Sequence, residues 1–367
     1  MRSITACGSF GFHNIGDEII SFALKNMFDE INCAVDLNIL SRFDSPDLEG
    51  VIGLLDHDKL QHISHNPIIM IGGGMVENKK SCVMLRLYDY INKVHKSKIG
   101  FLGISVEPGI QYNLRNKFLL KRMMNKSTTG CVYTRDYFSE AVLRRNIKRI
   151  NVETVGDIAL WSYPSTMLPN DLILPDSYIA ISLCNTWKDN ESWYKWISME
   201  VKKIHSETGL DIVFVPMSSK FDDDRVTHKI VADLIKDNEY IHCIEHHLHP
   251  TELVKIYSMA SLVIASRLHS CVLAYSQKVP FVGISYHPKL VGFSHTIGCR
   301  DFVLPRSIPD SQTDGYYGYS FENLNVKSGD LVDLALKSIS DFDFKSLEVY
   351  KNKSLTALKK MISSFEI

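Results

Sequence analysis

Between Leu253 and Arg300 the chain holds no aspartate or glutamate, yet it carries Lys255, Arg267, Lys278, Lys289 and Arg300 with His269, His287 and His295. The whole chain is balanced, with 41 Lys and Arg against 42 Asp and Glu, so this stretch is a local basic field and not part of a polycation. Within it Ser261–Ala265 reads as a buried strand. Ser266 suits the N-cap of a following helix whose first turn contains Arg267 and His269. A helix start already offers free N–H groups and the positive end of the macrodipole to an anion. Arg267 adds a planar fork matched to carboxylate or phosphate, and His269 a proton donor that titrates near neutral pH. Lys289 begins another helix after Ser285-Tyr286-His287-Pro288 and can aim its charge at the same mouth. The chemistry expected is capture of a small anion beside a proton donor.

Such a site needs elements to hold it. Short apolar runs recur along the chain, each followed by a turn rich in Gly, Asp, Asn or Ser and then by an amphipathic segment. Ile4–Cys7 leads through Gly8-Ser9-Phe10-Gly11 to a helix over 17–28, where Ile20, Ala23, Leu24 and Met27 repeat at helical spacing. Ile68–Ile71 meets Gly72-Gly73-Gly74, Phe101–Val106 meets Glu107-Pro108-Gly109, Cys131–Thr134 meets Arg135-Asp136, and Val152–Val155 meets Gly156-Asp157. Three prolines interrupt the pattern over 161–175, after which it restarts through Tyr178–Leu183, Ile212–Pro216, Leu262–Ala265 and Pro280–Ile284. Alternation of this kind predicts an α/β fold with mainly parallel sheets. The domains expected are residues 1–172, residues 173–330, and a helical segment 331–367 packing back on the first. Two such domains imply a cleft, and ligands of open α/β sheets bind at the carboxyl ends of strands, where these turns lie.

The totals set bounds. At 367 residues, with 45% hydrophobic and 23% charged residues, the chain has room for two ordinary cores. Eight cysteines without a CxxC pair, mostly in apolar runs, read as reduced core thiols. The first residues show no charged-then-apolar leader pattern, and the apolar stretch near 67–76 is short and broken by glycines. A cytoplasmic protein is expected, touching at most the inner face of the membrane. The Gly8, Gly11, Gly16 spacing is not GxGxxG, so no nicotinamide cofactor is expected, and with no basic tract no nucleic-acid partner either.

The string Ser266-Arg267-Leu268-His269-Ser270, followed by Pro280 and Tyr286-His287-Pro288-Lys289, resembles the polysaccharide pyruvyl transferase family. So do Asn14-Ile15-Gly16-Asp17-Glu18, Gly72-Gly73-Gly74, Thr134-Arg135-Asp136 with Ser139, and Val155-Gly156-Asp157. The matches run in order from about residue 8 to residue 298. The resemblance implies two Rossmann-like domains facing across a cleft, as in GT-B glycosyltransferases, and phosphoenolpyruvate as co-substrate with no cofactor or metal. It implies that Arg267 and His269 bind the donor and that Arg135 is a further active-site arginine. His287 departs from the acidic or amide residue common in that turn, and residues beyond about 300 match nothing in the family pattern.

On this reading Arg267, Arg135, Lys289 and the helix start at Ser266 anchor the donor, and His269 is the general acid. The base for a sugar hydroxyl is Asp17 or Asp157, each at a strand-end loop. Asn14 is a candidate contact to acceptor hydroxyls, and Trp187 a candidate stacking face for a sugar. The acceptor expected is a sugar of an oligosaccharide, free or lipid-linked. Two rivals stay open: a nucleotide-sugar GT-B glycosyltransferase, and a catalytically silent carbohydrate- or phosphate-binding protein. The acid-free stretch 253–300 counts against the first, because such enzymes use a carboxylate there to hold a ribose. His242, Cys243, His246, His247 and His249 match no standard zinc spacing and read as a solvated loop. Asp222-Asp223-Asp224 reads as a polar loop before a helix. Tyr316, Tyr317, Tyr319 and Phe321 suggest an acceptor lid. Lys351, Lys353, Lys359 and Lys360 lie on a helix that packs back or meets a membrane surface.

Overall fold

The computed structural model describes residues 2–11, 13–41, 47–48, 51–53, 66–72, 98–107, 114–169, 172–220, 222–235, 239–306 and 319–366. Gly73, Gly74, Pro108, Gly109, Tyr316 and Tyr317 lie outside these residues, so the middle of the glycine turn and part of the suggested lid are not described.

The first half builds a parallel sheet from β1 (Arg2–Cys7), β2 (Val35–Ser41), β3 (Val51–Gly53), β4 (Ile68–Ile71) and β5 (Ile99–Leu102), in the order β3-β2-β1-β4-β5. β6 (Val132–Thr134) and β7 (Val152–Thr154) pair in parallel, and Ile104 bridges to Thr134, which carries the first sheet on towards them. The strand predicted over 101–106 ends early because Gly103 turns at φ +62. Among the described residues of this half the helices are α1 (Ile15–Glu30), α2 (Leu114–Met124) and α3 (Tyr137–Asn146), with a 3-10 turn at Ile158–Trp161.

The second half contains β8 (Tyr178–Ser182), α4 (Glu191–Thr208), β9 (Asp211–Phe214), α5 (Asp224–Leu234), β10 (Ile241–Cys243), α6 (Pro250–Met259), β11 (Leu262–Ala265), α7 (Leu268–Ser276), β12 (Phe281–Ile284), α8 (Pro288–Ile297) and β13 (Val303–Leu304). Its strands form one parallel sheet ordered β10-β9-β8-β11-β12-β13. Within each half the order reverses beside the first strand, and that switch point is where open α/β sheets bind ligands. β8, β11 and β12 are buried along their whole length, as continuous apolar strands between two helical layers must be. α7 is buried on every side from Leu268 to Tyr275, so the helix start singled out above sits inside the protein.

α9 (Asp330–Asp341) and α10 (Ser346–Phe365) follow, and α10 crosses to the first half. Met361 fills the space beside Gly100, Trp161 Nε1–H donates to Ser354 Oγ at 3.0 Å, and Tyr350 lies against Gly156. Lys351 stands 4.4 Å from the centroid of the Trp161 ring, so this lysine rests on the protein. Gly156 has φ +91, and an added Cβ would come within 2.9 Å of Tyr350 Cβ. Asp157 is therefore aimed by a glycine that cannot be replaced without strain. Gly156→Ala is expected to lower unfolding free energy by more than about 1 kcal/mol, read from chemical denaturation, because Ala is strained at positive φ and the contact has no slack.

Candidate functional site

Each side chain proposed for chemistry lies just past the carboxyl end of a parallel strand, and two halves of the chain supply them. From the first half come Asn14, which caps α1, Asp17 in its first turn, Arg135 after β6 and Asp157 after β7. The second half adds Arg267 and His269 after β11, and Lys289 in the first turn of α8 after β12. The halves are stitched at this edge. Ile15 N–H donates to the Met217 carbonyl at 3.0 Å, Asn14 bridges to Ser218, and Tyr137 N–H donates to Thr296 Oγ1 at 3.1 Å. Gly16 lies against the His269 ring so closely that a Cβ there would sit 2.4 Å from Nδ1.

At the centre His269 Nε2 stands 3.8 Å from Asp157 Oδ2, and Arg135 Nε is 3.8 Å from the same oxygen. Both His269 Nε2 and Asp157 Oδ2 are buried without a hydrogen-bond partner, an arrangement that costs free energy unless a further polar group completes it. Asp157 is held from its other side, where Oδ1 accepts from Ala159 N–H at 2.9 Å. Arg135 is fixed by donating from Nη2 to Ser105 Oγ at 2.8 Å and from Nε to Asp136 Oδ2 at 3.2 Å. Asp136 also caps α3 through Ser139 N–H at 2.8 Å. Burial, followed by the charges of Arg135, Lys289 and Arg267, holds the His269 imidazole well below its usual range, so it is neutral. Burial raises Asp157, and Arg135 opposes that rise.

Beside this centre lies Lys289, whose Nζ is 5.5 Å from the centroid of the Tyr286 ring. Among the described residues no carboxylate comes within ion-pair distance of Lys289, and it donates no side-chain hydrogen bond. Burial depresses this ammonium, but Tyr286 and Asp17 outweigh it and raise Lys289 above its usual value. Asp17 accepts from Asn14 Nδ2 at 2.9 Å, and burial raises it to about 6 against the pull of Lys289, Arg135 and Arg267. His287 caps α8, with Lys289 N–H donating to its Nδ1 at 3.2 Å, and its Nε2 lies 3.3 Å from Glu107 Oε1.

Several expectations need correction. Ser266 is not the N-cap: Arg267 occupies that position, no side chain caps the helix, and Ser266 Oγ accepts from Cys184 N–H at 2.7 Å. Arg267 is not a free anchor. It donates from Nη2 to Asp222 Oδ2 at 2.6 Å and to Asp224 Oδ1 at 2.5 Å, and from Nε to Asp224 at 3.2 and 3.3 Å. Asp224 also accepts from Met217 and Ser218 N–H, so Arg267 ties the β9–α5 loop to the start of α7. Trp187 offers no face to a sugar. It is buried edge-on to Trp193 at 4.7 Å and donates from Nε1 to the Tyr319 carbonyl. Asn14 spends its side chain on Gly16 N–H and on Asp17, so it orients Asp17.

Sequence reasoning passed over Ser105 and Asp136, which aim Arg135, and the two carboxylates that neutralise Arg267. Asp136 directly follows the arginine it holds, and that adjacency was a usable signal. Of the histidine cluster, His247 Nε2 meets Asp47 Oδ2 at 2.7 Å, His242 meets Asp211 at 2.9 Å, and His249 caps α6. Among the described residues no group of three or more His, Cys, Asp or Glu side chains is placed to hold a metal ion.

The Arg267 geometry makes a prediction about stability. Arg267→Ala leaves the buried Asp224 carboxylate uncompensated and is expected to cost about 3–5 kcal/mol in unfolding free energy. A melting temperature unchanged in that variant would contradict the structural assignment.

Comparison with known proteins bears on the fold and the family. Comparison with curated proteins finds no match. Among solved structures, the UDP-GlcNAc 2-epimerase from Methanocaldococcus jannaschii is 14% identical with a TM-score of 0.56, over 96% of this chain and 99% of that one. The UDP-GlcNAc 2-epimerase from Neisseria meningitidis, bound to UDP-GlcNAc, is 10% identical with a TM-score of 0.57, over 99% of this chain and 100% of that one. At such identities the likeness is one of fold, and it makes this a GT-B-like α/β protein. Residues 14–288 match the family described as polysaccharide pyruvyl transferase, a span that runs from the Asn14 cap of α1 to Pro288 at the start of α8. A match over most of the chain, containing every orphaned polar atom of the cleft centre, means that this chain belongs to the polysaccharide pyruvyl transferase family.

Proposed function

We propose that the protein moves the enolpyruvyl group of phosphoenolpyruvate onto two hydroxyls of one sugar, forming a pyruvate ketal and releasing phosphate. The observation that carries this reading is the pair of buried, unpartnered atoms His269 Nε2 and Asp157 Oδ2, set between the cations Arg135 and Lys289. A multiply anionic donor neutralises those cations and completes the hydrogen bonding of the imidazole. The same negative charge counters the three cations that add to burial in keeping His269 neutral, so donor binding raises the proton affinity of the imidazole.

The protonated His269 then delivers its proton to C3 of the enol while a sugar hydroxyl adds to C2. A carboxylate of the first half takes the hydroxyl proton, and Asp17 is the better placed for it. Asp157 Oδ2 is turned towards His269 and Arg135, whereas Asp17, raised by burial to about 6, is ionised at neutral pH. Cleavage of the C2–O bond releases phosphate, and a second hydroxyl adds at C2, passing its proton to His269, which the first step left neutral. Lys289 and Arg135 hold the departing negative charge throughout.

The direction of the pH effect follows from Asp17. As a base it must be deprotonated, so kcat/KM is expected to rise with pH through about 6 and level off above it. Asp17→Asn should remove that acid limb and lower turnover by roughly 10²–10⁴-fold, followed as phosphate release from phosphoenolpyruvate with a glycan acceptor. An unchanged acid limb in Asp17→Asn would transfer the role to Asp157. Ketal-free product, or no phosphate release with any glycan, would refute the function.

A further inference from the structure

α2 supplies none of the site residues, and its outward face exposes two large apolar side chains. Leu114 is 79% exposed and Phe118 64% exposed, one turn apart on the same side. Leu120, Met123 and Met124 are buried on the opposite side, so the exposed pair is not a core face left uncovered by a twist of the helix. At 3.6 residues per turn, Lys117 and Lys121 fall on one flank of Leu114 and Phe118, and Arg115 and Arg122 on the other. No aspartate or glutamate occurs from Pro108 to Arg135. Arg115, Lys117 and Lys121 make no ion pair among the described residues. An apolar stripe flanked by basic side chains is the pattern of a helix that lies in a membrane interface.

The placement fits as well. After α2 the chain returns to the amino end of β5, where Thr128 N–H donates to the Ile99 carbonyl at 2.8 Å. The start of α2, with Leu114, therefore lies towards the carboxyl edge of the sheet, the edge on which Glu107 faces His287. We infer that the outward face of α2 docks the protein on an anionic phospholipid bilayer, with Leu114 and Phe118 entering the interface and the flanking Arg and Lys meeting the headgroups. This surface does not depend on which donor the cleft binds, and it brings the cleft edge near the membrane.

The test uses the full chain in sedimentation with phosphatidylcholine vesicles and with vesicles containing about 30% phosphatidylglycerol. Binding is expected to the anionic vesicles, weakened about tenfold or more by ~0.5 M salt, because screening removes the headgroup attraction. Leu114→Ser with Phe118→Ser, and separately Arg115→Glu with Lys121→Glu, should each lower partitioning by about tenfold or more while leaving the melting temperature and phosphoenolpyruvate binding unchanged. Equal partitioning of both variants and the unaltered protein would overturn the inference, as would no binding to anionic vesicles. So would a concentration-dependent dimer abolished by the Leu114 and Phe118 changes, which would assign this face to a second copy. Vesicle binding without phosphoenolpyruvate binding would instead refute the donor chemistry and leave the docking surface standing.

Discussion

The His269 ring rests on the backbone of Gly16, and that contact brings together groups that neither half of the chain could assemble alone. An added Cβ would lie 2.4 Å from the ring, so only glycine lets the start of α1 come this near to the start of α7. With that approach, Asp17 and Asp157 from the first half share one small volume with His269 and Lys289 from the second. The remaining links across the cleft, Ile15 to Met217 and Tyr137 to Thr296, hold the same edge closed.

The charges in that volume fall into two groups with different work. Arg267 is matched by Asp222 and Asp224 and orders the loop next to α7. Arg135 is fixed in aim by Ser105 and Asp136, and among the described residues no carboxylate lies within ion-pair distance of Lys289, though Asp17 is near enough to raise it. Burial first, and then the charges of Arg135, Lys289 and Arg267, keep His269 neutral, and the same three cations moderate the rise of Asp17. Cations set beside a neutral imidazole with an unpartnered ring nitrogen suit an anion better than a neutral ligand. α10 reaches the same centre indirectly, because Tyr350 fixes the glycine that aims Asp157.

Much of this was legible in the residues. Period and turn chemistry located the strands Leu262–Ala265 and Phe281–Ile284 and the helices after them, because a buried parallel strand is a continuous apolar run. The glycine and charged turns marked the cleft edge for the same reason. What the sequence hid is non-local. Whether Arg267 is free or paired is decided by carboxylates more than forty residues away in the chain, brought close by the order of β9, β8 and β11. Ser266 has the composition of an N-cap, but its hydroxyl is claimed by Cys184 from another strand end. Trp187 looked like a loop aromatic until Trp193, Phe321 and Tyr286 closed around it.

The central claim is that Lys289 and Arg135 bind the donor while His269 acts on it after binding, and calorimetric titration of phosphoenolpyruvate into the purified protein tests it most directly. The account predicts saturable binding with proton uptake, weakened by roughly tenfold or more in Lys289→Ala, since a hydrogen bond to a charged group contributes about 1.5–3 kcal/mol. In His269→Ala it predicts binding that persists but takes up no proton. Unaltered affinity in Lys289→Ala, or binding to UDP-GlcNAc with none to phosphoenolpyruvate, would contradict it.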